Sequence, residues 1–430
     1  MSDTIAAIAT GASVSAIGII RLSGPKAIDA VEKLFAPMPL EDRKLAYGEL
    51  HSAEGELLDL CLCTVSHAPN SYTGEDTAEL QCHGSPAVLC AVMDEFRKLG
   101  IRQAGPGEFT KRAFLNGKMT LTNAEAVADI IEAESKESAV NAASQLGGAI
   151  SKKAQIIYSD LTDICSHFHA VIDYPDEDIE DFQIDSYKTV LENAKGVLSK
   201  LLNTAESGKV LKDGIPTAII GHPNAGKSSL LNALLGYDRA IVTATPGTTR
   251  DTIEEKVNIG NLVLRIIDTA GIREASDESE QLGIQRSYDA AKNAKLVINI
   301  IDGTTDDVPI DNAYLCVYNK CDLDGFSGGE INISAKTGEG IEALKKRIVS
   351  MFPMPDVPSG EILTNIRQTE AVREALEYII SSIDALNNKE TPDVILTEIE
   401  GAMNAIGQLD GKTIREDITN QIFSRFCVGK

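Results

Sequence analysis

The sequence predicts a multidomain protein of mixed α/β and α class. It places an α+β domain first, then a helical domain, with an α/β domain of mostly parallel sheet inserted into the helical one. Three observations predict this. Residues 1–118 alternate apolar and polar positions in short runs, the period of strands half-buried in a sheet. Residues 119–210 and 356–430 repeat apolar residues at threes and fours, as helices packed on one face do. Between them, residues 211–355 alternate strand-like and helix-like segments, the pattern of parallel strands wrapped by helices. A chain of 430 residues, at roughly 150 per domain, has room for about three domains.

In the first region the runs "AIGIIRLS", "ELLDLCLCTVSH" and "TAELQCHG" read as strands, with helices near 25–35 and 86–99. Cys61, Cys63, His67, Cys82 and His83 are of the residue types that bind zinc, but zinc sites favour tighter paired spacing. The alternation around Cys61 and Cys63 favours core positions instead. The chain has eight cysteines without paired spacing, which fits small buried side chains rather than a disulfide framework. From "TNAEAVADII" onward the period becomes helical, with Thr122 or Asn123 as the expected cap. The acidic run 173–185 reads as a solvated loop, and the Pro-rich "MFPMPDVPSG" at 351–360 as the break after the inserted domain.

The net charge of −24 works against generic nucleic-acid binding, which depends on neutralising phosphates. Any RNA contact is therefore expected to be local or helped by a partner. No apolar run approaches the roughly 20 residues that span a bilayer, and "MSDTIAAIAT" lacks a basic leader, so a cytoplasmic protein is expected. The terminal "FCVGK" places a cysteine near the end, but Gly429 and Lys430 do not fit a prenylation box. For Cys427 a packed tail and a catalytic thiol stand side by side.

The inserted region carries the most specific chemistry. "GHPNAGKSS" at 221–229 follows an apolar strand and opens a helix, as a phosphate-binding loop does. Asn224, Ala225, Gly226, Lys227, Ser228 and Ser229 lie in it: backbone N–H groups converge on phosphates, Lys227 reaches the outer ones, and the Ser228 hydroxyl suits Mg²⁺. "DTAG" (Asp268, Thr269, Ala270 and Gly271) places a carboxylate for the metal's water shell and an N–H for the γ-phosphate. In "NKCD", Asn319, Lys320 and Asp322 follow another strand, and Asp322 can accept the ring N–H and exocyclic amine of guanine together. "SAK" (Ser334, Ala335 and Lys336) offers a backbone N–H to the guanine oxygen. Together these specify GTP. Thr249 in "TATPGTTRD" is the expected switch threonine that closes on Mg²⁺. After Gly271 stands Ile272, which cannot orient an attacking water, so another group must: Arg250, Arg273, Glu278 and Glu280 are candidates. The connection between "LVINIID" and "AYLCVYN" is about ten residues, near the lower limit for a crossover with its helix, so a helix there is expected to be short or missing.

The flanking motifs "SYTGEDTAELQCHG", "PGEFTKRAFLNGKMTLTNAEAVADII", "GTTRD", "DTAGIREASDESEQLGI" and "FCVGK" resemble those of the bacterial and organellar tRNA modification GTPases, and the likeness covers essentially the whole chain. The resemblance implies domains at 1–118 (tetrahydrofolate-binding and dimerising), 119–210 and 356–430 (the two parts of the helical domain), and 211–355 (a Ras-like P-loop GTPase domain). It implies a homodimer that, with a flavoprotein partner in a heterotetramer, builds a carboxymethylaminomethyl group on carbon-5 of the wobble uridine of certain tRNAs. The one-carbon donor would be a 5-formyl- or 5,10-methylene-tetrahydrofolate held by Arg21, Glu79, Lys118 and Lys430. It further implies a potassium ion beside the phosphates, with Asn224, Thr243, Thr245 and Thr248 matching its ligands in a loop that includes Ala244, Pro246 and Gly247. Glu280 matches the residue that positions the attacking water. The chain departs from the family after Thr10, where "GASVSAIG" replaces a Pro/Gly-rich loop, and at the shortened crossover. A ribosome-assembly GTPase would lack the N-terminal domain and tail, and a folate-dependent aminomethyl transferase would lack the GTP motifs.

Overall fold

A computed structural model describes residues 3–11, 13–173, 183–237, 255–267, 291–309, 315–411, 419, 422–424 and 426–429. The chain divides into two compact units: residues 1–128, 146–166 and 403–430 form the first, and residues 129–145 and 167–402 the second.

The first unit is built on a seven-stranded sheet. Its strands are β1 (Ile5–Ile8), β2 (Ser15–Ser23), β3 (Phe35–Ala36), β4 (Ala46–His51), β5 (Leu57–Ser66), β6 (Thr77–Gly84) and β7 (Arg102–Gln103), in the order β3-β4-β5-β6-β2-β1-β7. All neighbours pair antiparallel except β1 and β7. The period-two pattern explains the core: Ile20, Leu22, Cys61, Cys63, Val65, Ala78, Leu80 and Cys82 face inward. They meet Val31 of α1 (Ala27–Glu32) and Leu89, Val92 and Phe96 of α2 (Pro86–Lys98). Cys61, Cys63 and Cys82 are thus core residues, and burial pushes the Cys63 thiol up to about 12. Among the described residues no group of three or more His, Cys, Asp or Glu is placed to hold a metal ion.

Two local expectations need correction. Helix α1 stops at Glu32 rather than near 35, because Phe35 pairs with Leu50 as β3. A third helix, α3 (Glu108–Leu115), falls in a stretch read as strand-like; it buries Phe109, Thr110, Arg112 and Ala113 on one face. Its Phe109 packs with Ile5, Ala7 and Ala104 against the opposite face of the sheet. That face is left bare at its other end, where Leu45, Tyr47, Leu57 and Leu60 are exposed.

Helix α4 (Leu121–Glu132) begins one residue after its cap, which is Thr120, not Thr122 or Asn123. The Asn123 N–H donates to Thr120 Oγ1 (3.2 Å) and Asn123 Oδ1 accepts the Thr120 N–H (3.2 Å). This is a reciprocal capping box with Asn in the usual Glu position. Thr122 instead donates to the Leu409 carbonyl. Helices α5 (Lys136–Leu146), α6 (Ala149–Asp173), α7 (Ile184–Leu202) and α8 (Ala205–Asp213) follow, as the period predicts. The acidic run lies largely outside the described residues.

The second unit holds a six-stranded sheet: β8 (Ile215–Ile220), β9 (Glu255–Ile259), β10 (Leu262–Ile266), β11 (Leu296–Asp302), β12 (Leu315–Asn319) and β13 (Ile331–Asn332). Its order is β13-β12-β11-β8-β10-β9, parallel throughout except for β9. Strand β11 is buried along its whole length, as a central parallel strand is. Helices α9 (Lys227–Tyr237) and α10 (Ile341–Met351) pack Leu230, Leu234, Leu344 and Ile348 into its core. Two long helices close the chain, α11 (Ile366–Asn388) and α12 (Pro392–Asp410). The Pro-rich break is fastened to α5: Asn141 and Gln145 side-chain amides donate to the Ile362 carbonyl, and the Gly360 N–H donates to Asn141 Oδ1. Residues 303–309 after β11 form no helix, and the rest of the connection, 310–314, lies outside the described residues.

Candidate functional site

In a parallel sheet, ligands gather beyond the carboxyl ends of the strands, where the chain leaves a central strand in both directions. Strand β8 is such a strand, flanked by β10 and β11. The phosphate loop follows it and runs straight into α9, whose N-terminus is the positive end of the helix dipole and favours anions. Lys227 is half-buried, and its ammonium donates to the carbonyls of Gly221 (2.8 Å) and His222 (3.0 Å). Burial alone lowers its pKa. A cation held by neutral carbonyls gains most from an incoming anion, so the site fits phosphate. Asn224 is exposed with a left-handed backbone (φ 63), Ser229 is exposed and Ser228 half-buried at the helix start. Ser228 could hold Mg²⁺ and Asn224 a monovalent cation, since both offer oxygen donors.

The base-recognition motifs come together at Asn319. Its Nδ2 donates to the Ala225 carbonyl (2.8 Å) and its Oδ1 accepts the Ala335 N–H (3.0 Å). One buried amide thus ties "NKCD" to both the phosphate loop and "SAK". The approach requires glycine at 226: a Cβ there would lie 2.2 Å from Asn319 Nδ2. Ser334 is buried and its Oγ accepts the Thr337 N–H, which shapes the turn that holds Ala335 and the exposed Lys336. Asp322 is exposed, free to meet a base. Lys320 pairs with Asp302 at the end of β11, a contact that motif reading misses; the only signal for it is an acidic residue closing the preceding strand.

In the first unit, Arg21 and Glu79 sit directly opposite on β2 and β6, and their side chains pair at 2.7 Å. The Arg21 guanidinium lies 5.6 Å from the Tyr72 ring centroid and 5.8 Å from that of Phe109, two aromatic walls not singled out from sequence. The C-terminal segment reaches this place. The Gly107 N–H donates to the Cys427 carbonyl (3.2 Å), Val428 bridges to Pro106, and the Gly429 carbonyl lies 3.5 Å from Arg21 Nη1. Phe423 and Phe426 anchor the segment beside Leu121 and Ala124. Cys427 is exposed. Lys118 donates to the Pro69 carbonyl (2.9 Å) and packs against Gly74, in the loop that carries Tyr72. A cation, a carboxylate and two aromatic rings fit a flat, polar-edged heterocycle with an acidic tail.

Residues 4–118 match the N-terminus of the GTP-binding protein TrmE, and residues 121–427 match the MnmE helical domain. The chain is 41% identical to the tRNA modification GTPase MnmE of Akkermansia muciniphila, over 99% of both proteins. It is 38% identical to that of Clostridioides difficile and 37% to that of Chloroflexus aurantiacus, over the full length of all. The chain belongs to the MnmE family. The MnmE match takes in both places described above and runs to Cys427 in the docked tail. Several expected MnmE site residues lie outside the described residues: Thr243, Ala244, Thr245, Pro246, Gly247, Thr248, Thr249, Asp268, Thr269, Ala270, Gly271, Glu280 and Lys430. The structure brings Asn224, Ala225, Gly226, Lys227 and Ser228 into one loop and joins it to Asn319 and Ala335. Separately, it joins Arg21, Glu79 and the tail.

Proposed function

We propose that this protein hydrolyses GTP in a Ras-like domain spanning 211–355 and, together with a flavoprotein partner, modifies carbon-5 of the wobble uridine of certain tRNAs. The observation that carries the GTP reading is the Asn319 amide, which holds the phosphate loop and the base loops in one arrangement. Relatives at 37–41% identity over nearly the whole chain bear the name tRNA modification GTPase. Ser228, Thr249 and Asp268 would serve Mg²⁺; Asn224 with the carbonyls of Thr243, Thr245 and Thr248 would serve potassium. A monovalent cation at that place supplies positive charge to the phosphates in the transition state. Glu280 orients the water that Ile272 cannot.

The N-terminal part, 1–118, is read as the tetrahydrofolate site and the dimerisation domain. Arg21 and Lys118, with Lys430, suit an acidic glutamate tail, and Glu79 suits the pterin's N–H donors. The exposed Leu45, Tyr47, Leu57 and Leu60 at one end of the sheet support a second copy packing there, since exposed large apolar side chains gathered on neighbouring strands suit an interface. The helical parts, 119–210 and 356–430, carry the tail. No helix among the described residues is long and apolar enough to cross a membrane, and the cytoplasm is the proposed compartment.

GTP turnover in potassium against sodium tests the cation reading: several-fold faster turnover in potassium is expected, and equal rates refute it. Glu280→Ala is expected to lower turnover by orders of magnitude with GTP affinity kept; undiminished turnover rules Glu280 out as the water-positioning group.

A further inference from the structure

The short connection after β11 has a structural counterpart that reaches the base loop. Gly303, the first residue past β11, donates its N–H to the Asn319 carbonyl (3.0 Å) and accepts the Ser327 N–H on its own carbonyl (2.6 Å). One residue therefore holds both feet of the loop 320–326, which carries Asp322. Phe326 closes over Gly303: a Cβ at 303 would lie 2.2 Å from its ring. Beside it, Asp302 is 6% exposed and fully engaged. Its Oδ1 accepts the Thr304 N–H (3.0 Å) and hydroxyl (2.7 Å), which fixes the direction of Oδ2, and Oδ2 accepts Lys320 Nζ. Lys320 has a left-handed backbone (φ 71), a conformation that is strained for a non-glycine residue and persists only where neighbours impose it. Burial pushes the Asp302 carboxyl up, but the Lys320 and Thr304 bonds outweigh it and leave it below the ordinary range, so the carboxylate stays ionised.

We infer that Asp302 is a positioning residue for guanine selectivity: by fixing Lys320 and, through Gly303, the loop that follows, it sets Asp322 where it can read the base. The inference rests on the GTP reading and adds to it a residue that touches neither phosphate nor base. Binding of fluorescent GDP, IDP and ADP to the full-length protein tests it. IDP lacks the exocyclic amine that Asp322 accepts. Asp302→Asn is expected to raise the GDP Kd about 10-fold, the loss of one charge-assisted hydrogen bond, and the IDP Kd by no more than about threefold. A general structural defect would weaken both equally. Turnover at saturating GTP is expected to stay within about twofold of wild type, an effect on KM rather than kcat. Lys320→Met removes the same contact from a less buried position and is expected to match Asp302→Asn. The double variant is expected to be no weaker than either single one. An unchanged or tighter GDP Kd in Asp302→Asn, equal losses for GDP and IDP, or additive effects in the double variant would overturn the inference. If wild type itself fails to prefer GDP over ADP, the GTP reading is what has failed.

Discussion

The two candidate sites differ in what their charged groups do before a ligand arrives. At the phosphate loop, the half-buried Lys227 is held by two neutral carbonyls with its pKa lowered by burial. At the N-terminal site, Arg21 is already neutralised by Glu79 at 2.7 Å. A half-buried cation with no carboxylate partner among the described residues gains strongly from an anion, whereas a half-exposed ion pair must be partly exchanged for new contacts, with a net gain of only about 0–1 kcal/mol per pair. The nucleotide site is thus built for charge. The N-terminal site must draw its affinity from Tyr72, Phe109 and the docked tail.

The sharpest way to break this comparison is to remove the Lys227 cation. Lys227→Ala is expected to lower GTP turnover by at least about 100-fold, measured as phosphate release, because a charge aimed at the transferring phosphoryl group is lost. Base reading comes next. Asp322→Asn is expected to reverse the preference from GTP to XTP by about 100-fold in kcat/KM, since an amide donates where the carboxylate accepted. The third change acts on the other site only. Deleting residues 427–430 removes the strand bridge at Val428 and the contact at Gly429, and is expected to abolish tRNA modification while leaving GTP turnover within about twofold. Loss of GTP turnover on deletion would mean that the two sites are not separable in this way.

The smallest effect concerns the frame around α3. Glu108 is raised by burial but lowered further by Arg102, the Gly105 N–H and Arg112, so its pKa falls from 4.5 to about 2. A depressed carboxyl stabilises the fold above its ordinary pKa, and that contribution fades as pH falls from about 4.5 toward 2. Glu108→Gln is therefore expected to lose about 1–3 kcal/mol of stability at pH 7, less than the bare shift because the group is partly exposed, with the loss shrinking toward zero as pH approaches 2. Calorimetry across that window checks the sign.

The same comparison shows what a sequence can carry. The nucleotide site was legible because its chemistry is local: phosphate loop, "NKCD" and "SAK" are contiguous strings, each following a strand whose apolar run is plain. The alternation of β2, β5 and β6 was equally legible, since each strand buries every second residue. What escaped were contacts between distant segments. Tyr72 and Phe109 look like any core aromatics until β2 places Arg21 near both rings, and Asp302 matters only because Lys320 meets it from the end of the neighbouring strand β12. Thr120 was passed over as a cap because Asn123 answers it where Glu is the expected partner. Helix α3 was missed because eight residues make barely two turns of periodic signal.

The central claim is that the two sites serve one reaction on tRNA. Nucleoside analysis of tRNA from cells lacking this protein, complemented with wild type, Lys227→Ala or Arg21→Ala, tests it most directly. Wobble uridines of the deletion strain are expected to lack the carbon-5 group, which wild type restores and neither variant does. Wobble uridines unchanged by the deletion would contradict it.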